Sequence, residues 1–106
     1  MIFFVAMTAS IIFGGCSNEI QKDAIAYIEV IKKAGFEGKK TDPVKIGEIL
    51  NNTEVRDKGL SIRKKYSEEE YAKFWEVFDS KFRKEFGYGK KDTVPLLFSI
   101  FKLLGN

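Results

Sequence analysis

The apolar and polar positions divide the chain into two unlike parts. Residues 2–13 are apolar except for Thr8 and Ser10, and no charged residue occurs before position 17. Beyond that point the apolar residues fall into helical register. Ile20, Ala24, Tyr27, Ile28 and Ile31 recur at intervals of three and four, with Lys22, Glu29 and Lys33 opposite, which predicts one amphipathic helix over 19–34. Gly35 stands where a helix ends on a left-handed residue. Thr41-Asp42-Pro43 then reads as an N-cap with proline in the first turn, and Ile46, Ile49 and Leu50 give the new helix its apolar face. Asn51-Asn52-Thr53 breaks or kinks it. A further helical stretch runs through Val55 and Ile62 to Tyr66, weakened by Gly59.

The clearest element is 68–86. Ser67 with Glu70 forms a capping box, Tyr66 and Tyr71 are placed to staple across it, and Gly87 closes the helix. Glu68, Glu69 and Glu70 complement the positive end of its dipole, and Lys81, Arg83 and Lys84 the negative end. A last helix starts at Thr93-Val94-Pro95 and is apolar nearly all round, with Ser99 and Lys102 as its only polar face. Such a helix belongs in the middle of a core or in lipid, and it is too short to span a bilayer. The pattern as a whole predicts an all-α fold, a small bundle of four to five helices after an apolar N-terminal segment.

Two features of the pattern admit more than one reading. Phe74, Phe78, Phe82 and Phe86 recur at every fourth position, with Tyr71 and Trp75 in the same stripe. A domain this small needs its aromatics to form a core, and the stripe is read that way; a groove for a hydrophobic ligand or partner helix is the alternative. Gly35, Thr41 and Pro43 are echoed by Gly87, Thr93 and Pro95 at one constant offset, each set enclosing a Lys-Lys pair. Either the chain holds two duplicated hairpins, or the same helix-stop and helix-start devices occur twice. Both loops are expected to join antiparallel helices. The first of them, Gly35-Phe36-Glu37-Gly38-Lys39-Lys40-Thr41, is no phosphate loop. Its glycines are too close together, and its Lys-Ser/Thr pair does not follow the second glycine directly.

Composition narrows the chemistry. The chain has no histidine and one cysteine, Cys16, which removes Ser-His-Asp and Cys-His sites, Cys/His zinc sites and internal disulfides. No catalytic residue, metal ligand or bound cofactor is expected. A net charge of +3 is compatible with anionic lipid or polymer but lacks the dense basic face of a nucleic-acid binder.

The apolar leader has the length of a signal-peptide core and ends in Phe13-Gly14-Gly15-Cys16, followed at once by polar Ser17-Asn18-Glu19. This tetrad resembles the lipobox of bacterial membrane lipoproteins. The resemblance implies cleavage between Gly15 and Cys16 and a covalent diacylglycerol and fatty acid (palmitate) on Cys16. It divides the chain into a signal peptide over 1–15, removed, and a lipid-anchored helical domain over 16–106. The family places an aliphatic residue where Phe13 stands and a basic residue ahead of its apolar core, so a start upstream of Met1 is expected. The alternative is a buried or interfacial helix with Cys16 as a packed thiol. Ser17 is not the aspartate that retains such proteins at the inner membrane. The expected address is therefore extracytoplasmic, on the periplasmic face with the outer membrane favoured, or on the cell surface.

These readings converge on a small cell-envelope lipoprotein with a non-enzymatic interaction domain: an accessory subunit, an immunity or exclusion factor, or an inhibitor. A binder of lipid or another hydrophobic ligand is the alternative, and an enzyme the third choice. The expected partners are the membrane, through the anchor, and a protein; nucleic acid is not among them. If successive helices alternate in direction, Lys39, Lys40, Lys90 and Lys91 share the end distant from the anchor and form a candidate basic interaction patch. Arg63, Lys64 and Lys65 then form a candidate membrane-proximal basic run at the other end.

Overall fold

Five helices make up the fold in the computed structural model, which describes the backbone of residues 11–105 and the side chains of 18–104. They are α1 (Ile11–Lys33), α2 (Pro43–Leu50), α3 (Thr53–Lys65), α4 (Glu68–Phe86) and α5 (Pro95–Gly105), with one 3-10 turn at Gly38–Lys40. No strand occurs among the described residues. The all-α bundle expected from the pattern is the architecture of the chain. The expected signal segment lies outside the described residues up to position 10, and no side chain is described from Phe13 to Cys16.

Local chemistry sets most of the boundaries. The Asp42 side chain accepts from Lys45 N at 2.9 Å with Pro43 in the first turn, so Asp42 is the cap. Thr41 is not; its Oγ1 accepts instead from Glu37 N at 2.7 Å. Asn51 closes α2 and Asn52 opens α3 by accepting from Val55 N at 3.1 Å, which turns the expected break into a junction. The capping box is complete, with Ser67 Oγ accepting from Glu70 N and Glu70 Oε1 accepting from Ser67 N. Gly35 (φ +113°) and Gly87 (φ +77°) end α1 and α4 in the left-handed region. The expected helix over 19–34 starts earlier, at Ile11, so positions 13–16 have helical backbone. The amphipathic period that marks the helix in sequence begins only at Ile20, where one face meets the core.

Direction alternates from α1 to α3 to α4, which leaves α1 and α4 side by side and parallel. The contacts climb both helices together: Asp23 with Tyr66 at 2.6 Å, Tyr27 stacked on Phe78 at 5.1 Å, and Lys32 with Glu85 at 2.9 Å. In α3 the order reverses, since Lys65 reaches Glu19 while Gly59 lies against Tyr27. Phe74, Phe78 and Phe82 are buried between Tyr27, Ile31 and Phe36 and form the core. Tyr66 and Tyr71, the expected staple pair, each stack on Phe74, at 6.3 and 6.2 Å.

Two expectations change. α5 is not enclosed all round. Leu96, Leu97, Ile100 and Leu104 are buried, whereas Phe98 is 63% and Phe101 46% exposed, because α5 packs chiefly against α2 and α3, which cover only one side of it. The loop echo is also partial. Arg83 and Asp92 approach at one end of the α4–α5 pair and Trp75 and Phe101 further along, so these helices are antiparallel, but α2 packs mainly on α5 and α3 rather than back along α1.

Gly59 has a reason to be glycine that propensity does not reveal. A Cβ there would lie 2.6 Å from Tyr27 Oη and 2.8 Å from Leu104 Cδ1. Tyr27 is held by its stack on Phe78 and cannot swing away. Helix propensity favours Gly59→Ala by about 1 kcal/mol, and overpacking opposes it by about 1–3 kcal/mol. A net loss is expected, read as a lower urea midpoint at unchanged slope; a raised midpoint would show that α1, α3 and α5 meet more loosely than this.

Candidate functional site

The end of the bundle reached by the C-termini of α1 and α4 brings both Lys-Lys loops together. At the end of α1, Gly35 N and Phe36 N donate back to Lys32 O and Ile31 O, and this turn directs the Phe36 ring inward. Phe36 packs on Phe82 at 5.3 Å and edge-on to Phe86 at 4.8 Å. Gly38 sits close to Phe86, so the first loop rests on the last turn of α4. The second loop is held by Arg83. Its Nε donates to Asp79, and its Nη1 donates to the carbonyls of Gly89 at 2.6 Å and Asp92 at 2.7 Å. The Asp92 carboxylate accepts from Gly89 N at 2.7 Å, which together with Lys39 nearby holds its pKa below the usual carboxylate value.

Lys39 bridges the loops. Its Nζ lies 3.7 Å from Asp92 Oδ2 and 5.6 Å from the centre of the Tyr88 ring. An open cleft of about 340 Å3 separates the loops, lined by Phe36, Lys39, Tyr88, Asp92 and Pro95 among others. Lys40, Lys90 and Lys91 are exposed, and none forms an ion pair among the described residues. Lys39 thus ties the two loops together through Asp92, Lys40 is exposed on the first loop, and Lys90 and Lys91 line the groove beside α4 and α5.

Arg63, Lys64 and Lys65 lie at the opposite end, and two of the three are engaged within the fold. Lys65 Nζ contacts Glu19 at 2.7 Å and Asp23 at 2.9 Å. The Arg63 guanidinium stacks over the Tyr71 ring at 4.5 Å. Lys64 is exposed. Asp23, 8% exposed, is the buried charge among the described residues. Burial alone would raise its pKa, but hydrogen bonds from Tyr66 and Lys65, with the charges of Lys65 and Lys58, outweigh it and hold the carboxyl below its ordinary value. The same hydrogen bonds to Glu19 and Asp23 raise Lys65. Both groups stay ionised at neutral pH, so the cluster clips α1 to the C-terminal end of α3.

Family models, curated proteins and solved structures yield no match to the chain. None of the helices among the described residues is long and apolar enough to cross a membrane.

The sequence pattern did not single out Asp23, although it stands three residues after Ile20 and four before Tyr27, on the buried stripe. A lone carboxylate in that register is a signal of a buried charge needing partners. The pattern also missed a groove of about 630 Å3 between α4 and α5, walled by Trp75, Val94, Leu97, Phe98 and Phe101. Trp75 belongs to the aromatic stripe by spacing, and it sits at the edge of the core, edge-on to Phe78 at 5.3 Å on one side and to Phe101 at 5.2 Å on the other.

Proposed function

We propose that this chain is a lipid-anchored, non-enzymatic interaction module of the bacterial cell envelope, held through Cys16 and presenting its loop end to an anionic protein partner. One observation carries the reading: both Lys-Lys loops meet at the end of α1 away from Cys16. From Cys16 to Lys33 helical rise amounts to about 25 Å, enough to lift Lys40, Lys90 and Lys91 clear of head groups. Three cations left without partners on a rim that is otherwise tightly hydrogen-bonded are free to steer an acidic surface. A carrier of a hydrophobic ligand is less well supported, since Phe78 and Phe82 have no exposed surface and Tyr27 and Phe36 fill the space beside them.

The anchor and the patch are tested separately. Cys16→Ala is expected to abolish incorporation of labelled fatty acid and release the protein from membrane pellets, because two acyl chains at about 0.8 kcal/mol per methylene account for lasting attachment. Normal labelling of that variant would end the lipoprotein reading. Replacing Lys39, Lys40, Lys90 and Lys91 together by glutamine is expected to leave labelling and melting intact. It should weaken copurification of the native partner in a salt-dependent way, as exposed charges are screened within about 8–10 Å at physiological salt. Undiminished capture would move the partner site elsewhere.

A further inference from the structure

The basic end continues into the groove between α4 and α5. On the α4 side the groove is lined by Ala72, Trp75, Glu76, Asp79 and Arg83, a straight line of side chains at helical spacing. From Ala72 to Arg83 this line is about 16 Å long, three helical turns. Phe98 and Phe101 form the opposite wall at 63% and 46% exposure. Trp75, in the groove wall, keeps its indole N–H out of water without a hydrogen-bond partner. Lys90 and Lys91 stand at the Arg83 end. Arg83 itself is satisfied by Asp79, Gly89 and Asp92, so the free positive charge at that end comes from the two lysines.

Resting on the reading of this chain as an interaction module, we propose that the α4–α5 groove receives an amphipathic helix of the partner protein, its apolar face on Trp75, Phe98 and Phe101 and its carboxylates beside Lys90 and Lys91. The shape argues for a helix. α4 and α5 run antiparallel and touch at Trp75 and Phe101, the groove follows α4 for about three turns, a length that suits a docked helix, and small Ala72 lets it approach closely. The composition suits a helix, with Trp75, Phe98 and Phe101 as aromatic anchors, Glu76 and Asp79 along the α4 wall and Lys90 and Lys91 at one end. A second copy fits less well. A two-fold axis centred on this stretch would set Glu76 against its own image. An acyl chain in so open a groove would leave much of its length in water.

The test is selection of binders from a displayed library of helical peptides against the full-length protein in detergent. Selected peptides should carry apolar residues three and four apart with Asp or Glu clustered at one end, and should change the emission of Trp75, the single tryptophan. Phe98→Asp and the pair Lys90→Glu, Lys91→Glu should each weaken binding by about tenfold or more. Both sites are exposed, so melting should be unchanged. Peptides recharged to lysine at the acidic end should regain affinity for the Lys90→Glu, Lys91→Glu variant. Binders without an acidic end, or binding that survives Phe98→Asp, would overturn the proposal. A Phe98-dependent doubling of mass on concentration, or a Phe98-dependent Trp75 response to anionic vesicles without peptide, would likewise overturn it in favour of a second copy or a lipid surface. If Phe98→Asp leaves native partner capture intact while the fourfold lysine variant loses it, the groove inference fails and the interaction-module reading stands.

Discussion

Phe78→Ala is expected to cost about 3–5 kcal/mol, a large share of the roughly 5–15 kcal/mol that holds a domain folded. Phe78 has no exposed surface, and its ring meets Tyr27 at 5.1 Å, Trp75 at 5.3 Å, Phe74 at 5.5 Å and Phe82 at 5.7 Å. These neighbours brace one another, so they cannot collapse into the space, and the cavity penalty adds to the lost transfer energy. For a domain of this size each kcal/mol lowers the melting temperature by about 4–8 °C, so circular dichroism should register a fall of more than ten degrees. Phe98→Ala is the internal control. That ring is 63% exposed, and surface changes usually stay within about 0.5 kcal/mol. A Phe78→Ala variant melting within a few degrees of the parent would remove Phe78 from the core and restore the stripe as a ligand surface.

The contrast between these two phenylalanines marks how far the fold could be read from the chain. Helix ends were legible because they depend on neighbours in sequence: Ser67 with Glu70, Asp42 with Pro43, Gly35 and Gly87 each act within a turn or two. The buried face of α4 was legible for the same reason, as Phe74, Phe78 and Phe82 recur with the helical period. What periodicity cannot carry is which neighbour arrives from elsewhere. α5 has nearly uniform apolar character, so its sequence does not say that one side lacks a covering helix. Lys102 was the available hint, since its ammonium lies 5.2 Å from the Phe98 ring and marks that face as outward. Gly59 is a weak helix former by propensity, and only the approach of Tyr27 and Leu104 explains it. The convergence of Lys39 with Asp92 was inferable from alternating helix directions, but the neutralising role of Asp92 was not. Likewise Lys65 reads as one cation in a basic run, and the fold commits it to Glu19 and Asp23.

That commitment leads to a pH dependence with a definite sign. The folded state holds the Asp23 carboxyl below its ordinary pKa, whereas in the unfolded chain an aspartate titrates near about 3.9. Between those two values the unfolded state binds more protons, so stability falls as the pH falls. The contribution of Asp23 is therefore fully present above about pH 5 and is lost on acidification through 4 towards the folded value. The hydrogen bond from Tyr66 to this buried carboxylate is worth about 1.5–3 kcal/mol. Lys65 adds less, because its side chain is 40% exposed and solvent screens the pair to about the 0–1 kcal/mol of surface bridges. Asp92 is depressed as well and shares the same window, but as a solvent-screened carboxylate it should contribute the smaller part. Asp23→Asn retains the shape and still accepts from Tyr66 while losing the charge. It should melt lower than the parent at pH 7, and the gap should narrow as the pH falls through 4 towards the folded value, as should the deficit of Tyr66→Phe. Urea unfolding at stepped pH reads this directly. A gap between parent and Asp23→Asn that stayed constant from pH 7 to pH 3 would mean that folding does not shift the titration of Asp23, and the clip joining α1 to α3 would have to rest on packing alone.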